Sequence, residues 1–118
     1  MTQYRRGYEF ERKVSALFRK HGWFVVESRG SHGPADLVAA NPYEVVLVQC
    51  KKAATCPPSR GPELEKLRVL GSQTQRTVAF AHPGPKRGDP PQVWYMPNWS
   101  MQAWHELAIG RWSAEPRA

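Results

Sequence analysis

An α/β fold, with a mixed sheet of about five strands and helices on both faces, is predicted by three observations. Phe10, Val14, Leu17 and Phe18 recur at i, i+4, i+7 and i+8, the spacing of an apolar helical stripe. Short continuous apolar runs of strand length stand at 37–40 and 45–48, and a further strand is read at 77–81. Such runs suit strands buried on both faces, as in a sheet covered by helices. Two further helical signals lie among them, one headed by Pro62 and one by Ser100. The 118 residues suit one domain, 1–118.

Residues 1–6 read as a short basic arm carrying Tyr4, Arg5 and Arg6. The first helix is expected over 7–21, with Gly22 just past its end. At about 100° per residue, Glu11 lies at the edge of the apolar stripe beside Phe18. Glu9 lies farther round toward water, four residues from Lys13. Residues 23–28 form a first strand, and 29–35 a cationic loop bearing Gly30 and Gly33. The runs 37–40 and 45–48 are two strands joined by a turn at Asn41-Pro42. Residues 52–61 are a loop, because Pro57 and Pro58 stop a strand. A second helix starts at Pro62 with Glu63 and Glu65 in its first turn, presents Leu64, Leu67 and Leu70, and ends at Gly71. Strands follow at 77–81 and 92–96. The intervening loop holds Lys86 and Arg87 and reads equally as a DNA-facing loop or a surface excursion. A last helix is expected from Ser100 to Gly110 with Met101, Trp104 and Leu107 inward, and 111–118 is a frayed tail.

Net charge is +7, with 17 Lys and Arg against 10 Asp and Glu. A small domain this basic suits a polyanion partner, most often nucleic acid, although solubilising surface charge gives the same balance. No apolar run approaches the roughly 18 residues of a membrane helix. The N-terminus is polar and lacks a signal-peptide core, so no membrane association and a cytoplasmic location are expected. The two cysteines, Cys50 and Cys56, lack CxxC spacing and are too few for a disulfide framework. A zinc set completed by His32 and His82 has no finger-like pairing to support it. The GxxxxGK[ST] phosphate loop is absent, so no nucleotide cofactor is expected. Trp94, Trp99, Trp104 and Trp112 crowd the last quarter, more than a small domain readily buries, and read as a self-association surface, with a core lid plus exposed aromatics as the alternative.

The stretch 31–51 carries the chemistry. A loop delivers Asp36 to the head of one apolar run, and the second run ends in Gln49, Cys50 and Lys51. Residues two apart share a strand face, so Gln49 and Lys51 project together and Cys50 goes to the other side. A tight hairpin sets Asp36 beside Gln49. An acid, an amide and an amine then meet at one end of a buried hairpin.

Asp36, a spacer, and then Gln49-Cys50-Lys51 resemble the nuclease signature Pro-Asp, spacer, Asp or Glu, any residue, Lys. Arg5-Arg6-Gly7 through Glu11-Arg12, His21-Gly22-Trp23 and Arg29-Gly30-Ser31 look like the archaeal-type Holliday junction resolvases within that superfamily. The resemblance covers roughly the first half of the chain. It implies a restriction-endonuclease-like core and a homodimer cutting four-way DNA junctions with Mg²⁺, or Mn²⁺ as a substitute. It also implies catalytic residues at Glu11, Ser31, Asp36, Gln49 and Lys51. The ion would be held by Glu11, Asp36, Gln49 and the backbone carbonyl of Cys50. DNA contacts are expected from Arg5, Arg6, Arg29, Ser31, His32, Lys52 and Arg60. Hard oxygen ligands suit Mg²⁺, and Lys51 can orient or deprotonate a water, or stabilise the phosphate.

Gln49 departs from the family, which has a glutamate there. An amide oxygen ligates without charge, so the ion is held more weakly. The other signature positions are present and favour an active enzyme. The alternatives are a non-catalytic branched-DNA binding protein, or a nuclease acting on flaps or linear duplex.

Overall fold

The computed structural model describes residues 3–27, 34–96 and 104–112, and side chains within 7–110 of those stretches. The chain runs α1 (Gln3–Lys20), β1 (Phe24–Glu27), β2 (Leu37–Ala40), β3 (Val45–Cys50), α2 (Pro62–Thr74), β4 (Thr77–His82), β5 (Gln92–Met96), β6 (His105–Glu106) and a 3₁₀ turn (Ile109–Trp112). The six strands form one sheet in sequence order. Only β3 and β4 pair in parallel, through the crossover helix α2, so the sheet is mixed.

The two faces are separate cores. Phe10, Val14 and Phe18 of α1 pack on Val25, Leu37, Val46, Val48 and Ala81. Leu64 and Leu67 of α2 pack on Leu47, Val78, Phe80 and Met96 on the opposite face. The alternation along β3 decides this: even-numbered Val46 and Val48 face α1, and Leu47 faces α2.

Two helix boundaries differ from the sequence reading. The N-terminal arm is helical from Gln3. Gly7 has open space about its Cα and only weakens a helix, by about 1 kcal/mol, so it does not stop one. Gly71 continues α2 instead of ending it, because Leu64, Leu67 and Gly71 form the buried stripe at i, i+3 and i+7. The helix stops at Gln75, whose left-handed φ of 56° closes its N–H onto the Gly71 carbonyl. Gly22 does end α1, with φ 86° and the Trp23 N–H on the Phe18 carbonyl.

The largest correction is at the C-terminus. Within the expected helix Ser100–Gly110, His105–Glu106 is instead a sixth strand on β5. The Met101, Trp104 and Leu107 spacing suggested a helix. Yet Leu107 and Ile109 are both buried in the α1-side core, two residues apart, and that is strand parity. The Leu107 N–H donates to the Val93 carbonyl, covering the edge of β5. Residues 111 and 112 belong to the 3₁₀ turn, not to a frayed tail.

Trp94 and Trp104 are half-buried and turn their indole N–H groups inward, to His82 Nε2 at 2.9 Å and the Pro58 carbonyl at 2.7 Å. Trp99 and the Trp112 side chain lie outside the described residues.

Candidate active site at the head of β2

The site is built on the β2–β3 hairpin. Asn41 fixes the turn by accepting the N–H groups of Tyr43 and Glu44 on its side-chain oxygen. That sets the register Leu37↔Val48, so the next position pairs Asp36 with Gln49. The Asp36 N–H donates to the Val48 carbonyl at 2.8 Å, and its carboxylate accepts the Cys50 N–H at 2.8 Å. Asp36 is thus gripped by backbone on both sides and cannot swing away from the end of β3.

Glu11 reaches the same point from α1. Its carboxyl and that of Asp36 share a hydrogen bond. Burial, then the Asp36 charge and that bond, then the Glu27 charge push the Glu11 pKa from 4.5 to about 7. Burial also raises Asp36, offset by the Cys50 N–H, the bond from Glu11 and the Lys51 charge. The interaction between the two carboxyls raises Glu11 and lowers Asp36, so of the two Glu11 is the one pushed toward its protonated form.

Glu27, at the end of β1, is a third carboxylate that the sequence reading missed. It pairs with Leu37 across the β1–β2 ladder, and one of its oxygens is buried without a hydrogen-bond partner. The signal was available. Glu27 is two residues past the buried Val25, so its face is that of α1.

Gln49 and Lys51 project to the α2 side, where they line a groove of about 840 Å³ with Pro34, Glu63, Lys66 and Val69. The Gln49 amide oxygen is buried and has no partner. The Lys51 ammonium lies 2.7 Å from Glu63 in the first turn of α2. Glu63 is a second residue that the sequence reading used only to start a helix. Cys50 packs toward the α1 core, and burial pushes its thiol well above the usual range, with Asp36, Glu11 and Glu27 adding to the rise. It stays a thiol and serves the site through its backbone.

Glu11, Asp36 and Gln49 offer hard oxygen donors, one of them an orphaned buried amide oxygen, and that chemistry suits Mg²⁺ better than a soft metal. Among the described residues no three Asp, Glu, His or Cys side chains converge closely enough to hold a metal by themselves. The substitution of Gln49 for an acid accounts for part of that. The zinc alternative finds no support at His82, whose two ring nitrogens are engaged by Trp94 and the Pro83 carbonyl.

Of the expected DNA contacts, Lys52 and Arg60 are exposed on the loop after β3. Arg29, Ser31, His32 and the side chains of Arg5 and Arg6 lie outside the described residues. Lys13 makes no ion pair among the described residues, so the spacing to Glu9 does not produce one.

The family model for archaeal Holliday junction resolvase (Hjc) matches residues 2–84, which span α1 to the end of β4 and every residue of the site. The chain belongs to the archaeal Holliday junction resolvase family. Members of this family are metal-dependent nucleases. A curated relative, crossover junction endodeoxyribonuclease Hjc of Methanocaldococcus jannaschii, is 40% identical over 52 residues, covering 44% of this chain and 38% of the relative. The match thus spans well under half of that relative's length. The solved structure of Archaeoglobus fulgidus Hjc, a Holliday junction resolvase, superposes with a TM-score of 0.59 at 22% identity, covering 78% of this chain and 72% of that one. The resolvase fold is therefore shared. The family match ends before β5 and β6, so the corrected C-terminal strand lies in the part of the chain that the family model leaves uncovered.

Proposed function

We propose that this chain is a structure-selective DNA endonuclease that resolves four-way junctions by paired phosphodiester hydrolysis. The observation that carries the reading is Asp36, clamped at the head of β2 by the Cys50 N–H and the Val48 carbonyl with Glu11 of α1 beside it, in a chain of the resolvase family. Asp36, Glu11, Gln49 and the Cys50 carbonyl are the residues that would hold the ion, Mg²⁺ or Mn²⁺. When bound, such an ion neutralises charge on the phosphate and activates a water. Asp36 is oriented for that role by the Cys50 N–H. Glu11 would have to be free of its proton to serve as a second anionic ligand. Lys51, steered by Glu63, directs an ammonium toward the phosphate or the attacking water. Ser31, Arg29, His32, Lys52, Arg60, Arg5 and Arg6 engage the backbone of the junction.

Two active sites related by a two-fold axis would place paired cuts in opposed strands, so we propose a homodimer. Phe24 and Val26, 69% and 47% exposed on the edge strand β1, are apolar surface available to it. A DNA substrate of this kind implies an intracellular setting. No helix of the described residues is long and apolar enough to cross a membrane.

A second reading has one observation in its favour. The neutral Gln49 leaves the site without an acid opposite Asp36, as in a protein that binds branched DNA without cutting it. Labelled four-way junction and linear duplex, incubated in Mg²⁺ and in EDTA with wild type and Asp36→Asn, separate the two. Paired cuts in the junction alone, lost in EDTA and in the variant, are the expected result. Tight junction binding with no cuts in Mg²⁺ or Mn²⁺ refutes the nuclease, and equal cutting of duplex refutes junction selectivity.

A further inference from the structure

A second groove, of about 260 Å³, lies on the α1 side, outside the carboxylate pair. Three elements meet there: the outer flank of α1, the exit of β3 and the loop from β4 to β5. Lys13, Lys52, Lys86 and Arg87 line it, against two acids, Glu9 and Asp89. None of the four cations forms an ion pair among the described residues. Asp89 is committed to the loop itself, where its carboxylate accepts the Lys86 N–H at 3.0 Å and its own N–H donates to the Lys86 carbonyl. The groove is therefore a cationic surface whose charge is not neutralised within the described chain.

The loop that presents Lys86 and Arg87 is held in shape. Gly88 takes a φ of 91°, and a Cβ at Gly84 would meet the Asp89 Cβ at 2.5 Å, so the loop closes tightly on itself. Its first residue, Pro83, follows His82, whose ring is tied to the Pro83 carbonyl and to Trp94. Lys86 and Arg87 are thus carried on a preorganised turn, which lowers the cost of ordering them on a ligand.

The position relative to the site is defined by the sheet. Asp36 stands at the β2 side of β3, and the loop follows β4 on its other side, with the Lys51 N–H bonded to the Ala81 carbonyl between them. Two strand spacings amount to about 10 Å. That is on the order of three base-pair steps along the axis of a DNA duplex, at about 3.4 Å each. A backbone whose scissile phosphate sits at Asp36 therefore passes this groove within a few nucleotides.

We infer that the groove between α1 and the 83–91 loop is a phosphate track for a DNA arm, with Lys13, Lys52, Lys86 and Arg87 as its contacts. The inference rests on the junction-enzyme reading for its substrate and assigns a surface of which that reading uses Lys52 alone. The contacts are to phosphates, so they position the arm without reading its sequence.

The test is the salt dependence of four-way junction binding by the full chain, in EDTA, followed by fluorescence anisotropy. Each phosphate contact contributes about 0.9 to the slope of log affinity against log salt. The double variant Lys86→Gln/Arg87→Gln is expected to lower that slope by about 2. It is also expected to weaken binding at least tenfold at low salt. Lys20→Gln/Arg76→Gln removes the same charge from exposed positions at the opposite end of the sheet, and is expected to leave the slope and junction cleavage unchanged. Equal losses in both double variants would reduce the groove to bulk charge and overturn the inference, as would no loss in either, or no DNA binding by wild type. If the slope falls as expected but wild type never cuts the junction, the track stands and the nuclease reading fails.

Discussion

Replacing Glu11 by Gln should stabilise the metal-free protein at alkaline pH while destroying the site. Glu11 binds its proton far more tightly in the folded chain, with a pKa of about 7 against an ordinary value of 4.5. The folded state therefore holds more protons than the unfolded state between those values, and stability must fall as pH rises through this window. The full difference corresponds to about 3.4 kcal/mol at roughly 1.4 kcal/mol per tenfold. Glu11 is only half-buried, so solvent screening reduces this to about 1–2 kcal/mol. Asp36 is raised as well and contributes with the same sign. Urea denaturation in EDTA at pH 5 and pH 8 measures the effect. Wild type should lose about 1–2 kcal/mol between the two. Glu11→Gln should lose less and be the more stable protein at pH 8. A Glu11→Gln variant less stable than wild type at pH 8 would refute the raised Glu11 pKa, since it would show that the ionised Glu11 is stabilising in the fold.

Gln49→Glu adds a charged oxygen at an orphaned buried position, and should tighten Mn²⁺ binding about tenfold in a spectroscopic titration while lowering metal-free stability. Unchanged Mn²⁺ affinity would show that position 49 does not face the ion. His82→Phe keeps the ring volume but strands the Trp94 indole N–H, and should cost about 1–3 kcal/mol in urea melts. Phe18→Ala empties a fully buried site in the α1-side core, where the ring packs edge-on against Trp23 at 5.0 Å, and should cost about 3–5 kcal/mol.

The hairpin was legible because two local signals agreed. Asn41-Pro42 supplied the turn and the flanking apolar runs supplied the strands, and together they fix which residue faces Asp36. Glu11 was legible because the angle between it and the core stripe is a property of one helix. Glu27 and Glu63 were not, because each matters only through an element distant in sequence. Glu27 acts across β1–β2 pairing onto α1, and Glu63 across the crossover onto Lys51. The same reason explains the misread C-terminus. From Met101 to Leu107 the spacing fits a helix, and only the vacant edge of β5 gives His105–Glu106 a ladder to join.

The neutral residue at position 49 also bears on why the metal-free site is tolerable. Glu11, Asp36 and Glu27 already influence one another electrostatically, and one proton on Glu11 relieves the nearest pair. A fourth acid opposite Asp36 would add repulsion at a place where the side-chain oxygen is sealed from water. An amide there keeps an oxygen donor in position while adding no charge to bury. The consequence is asymmetric: the folded chain gains stability without an ion, and the ion loses attraction. The proton on Glu11 works in the same direction, because it must leave before Glu11 can ligate. The proton weakens metal binding most at low pH, where Glu11 is fully protonated, whereas the neutral amide weakens it at every pH. They leave Asp36, gripped by the Cys50 N–H, as the group on which capture of the ion most depends.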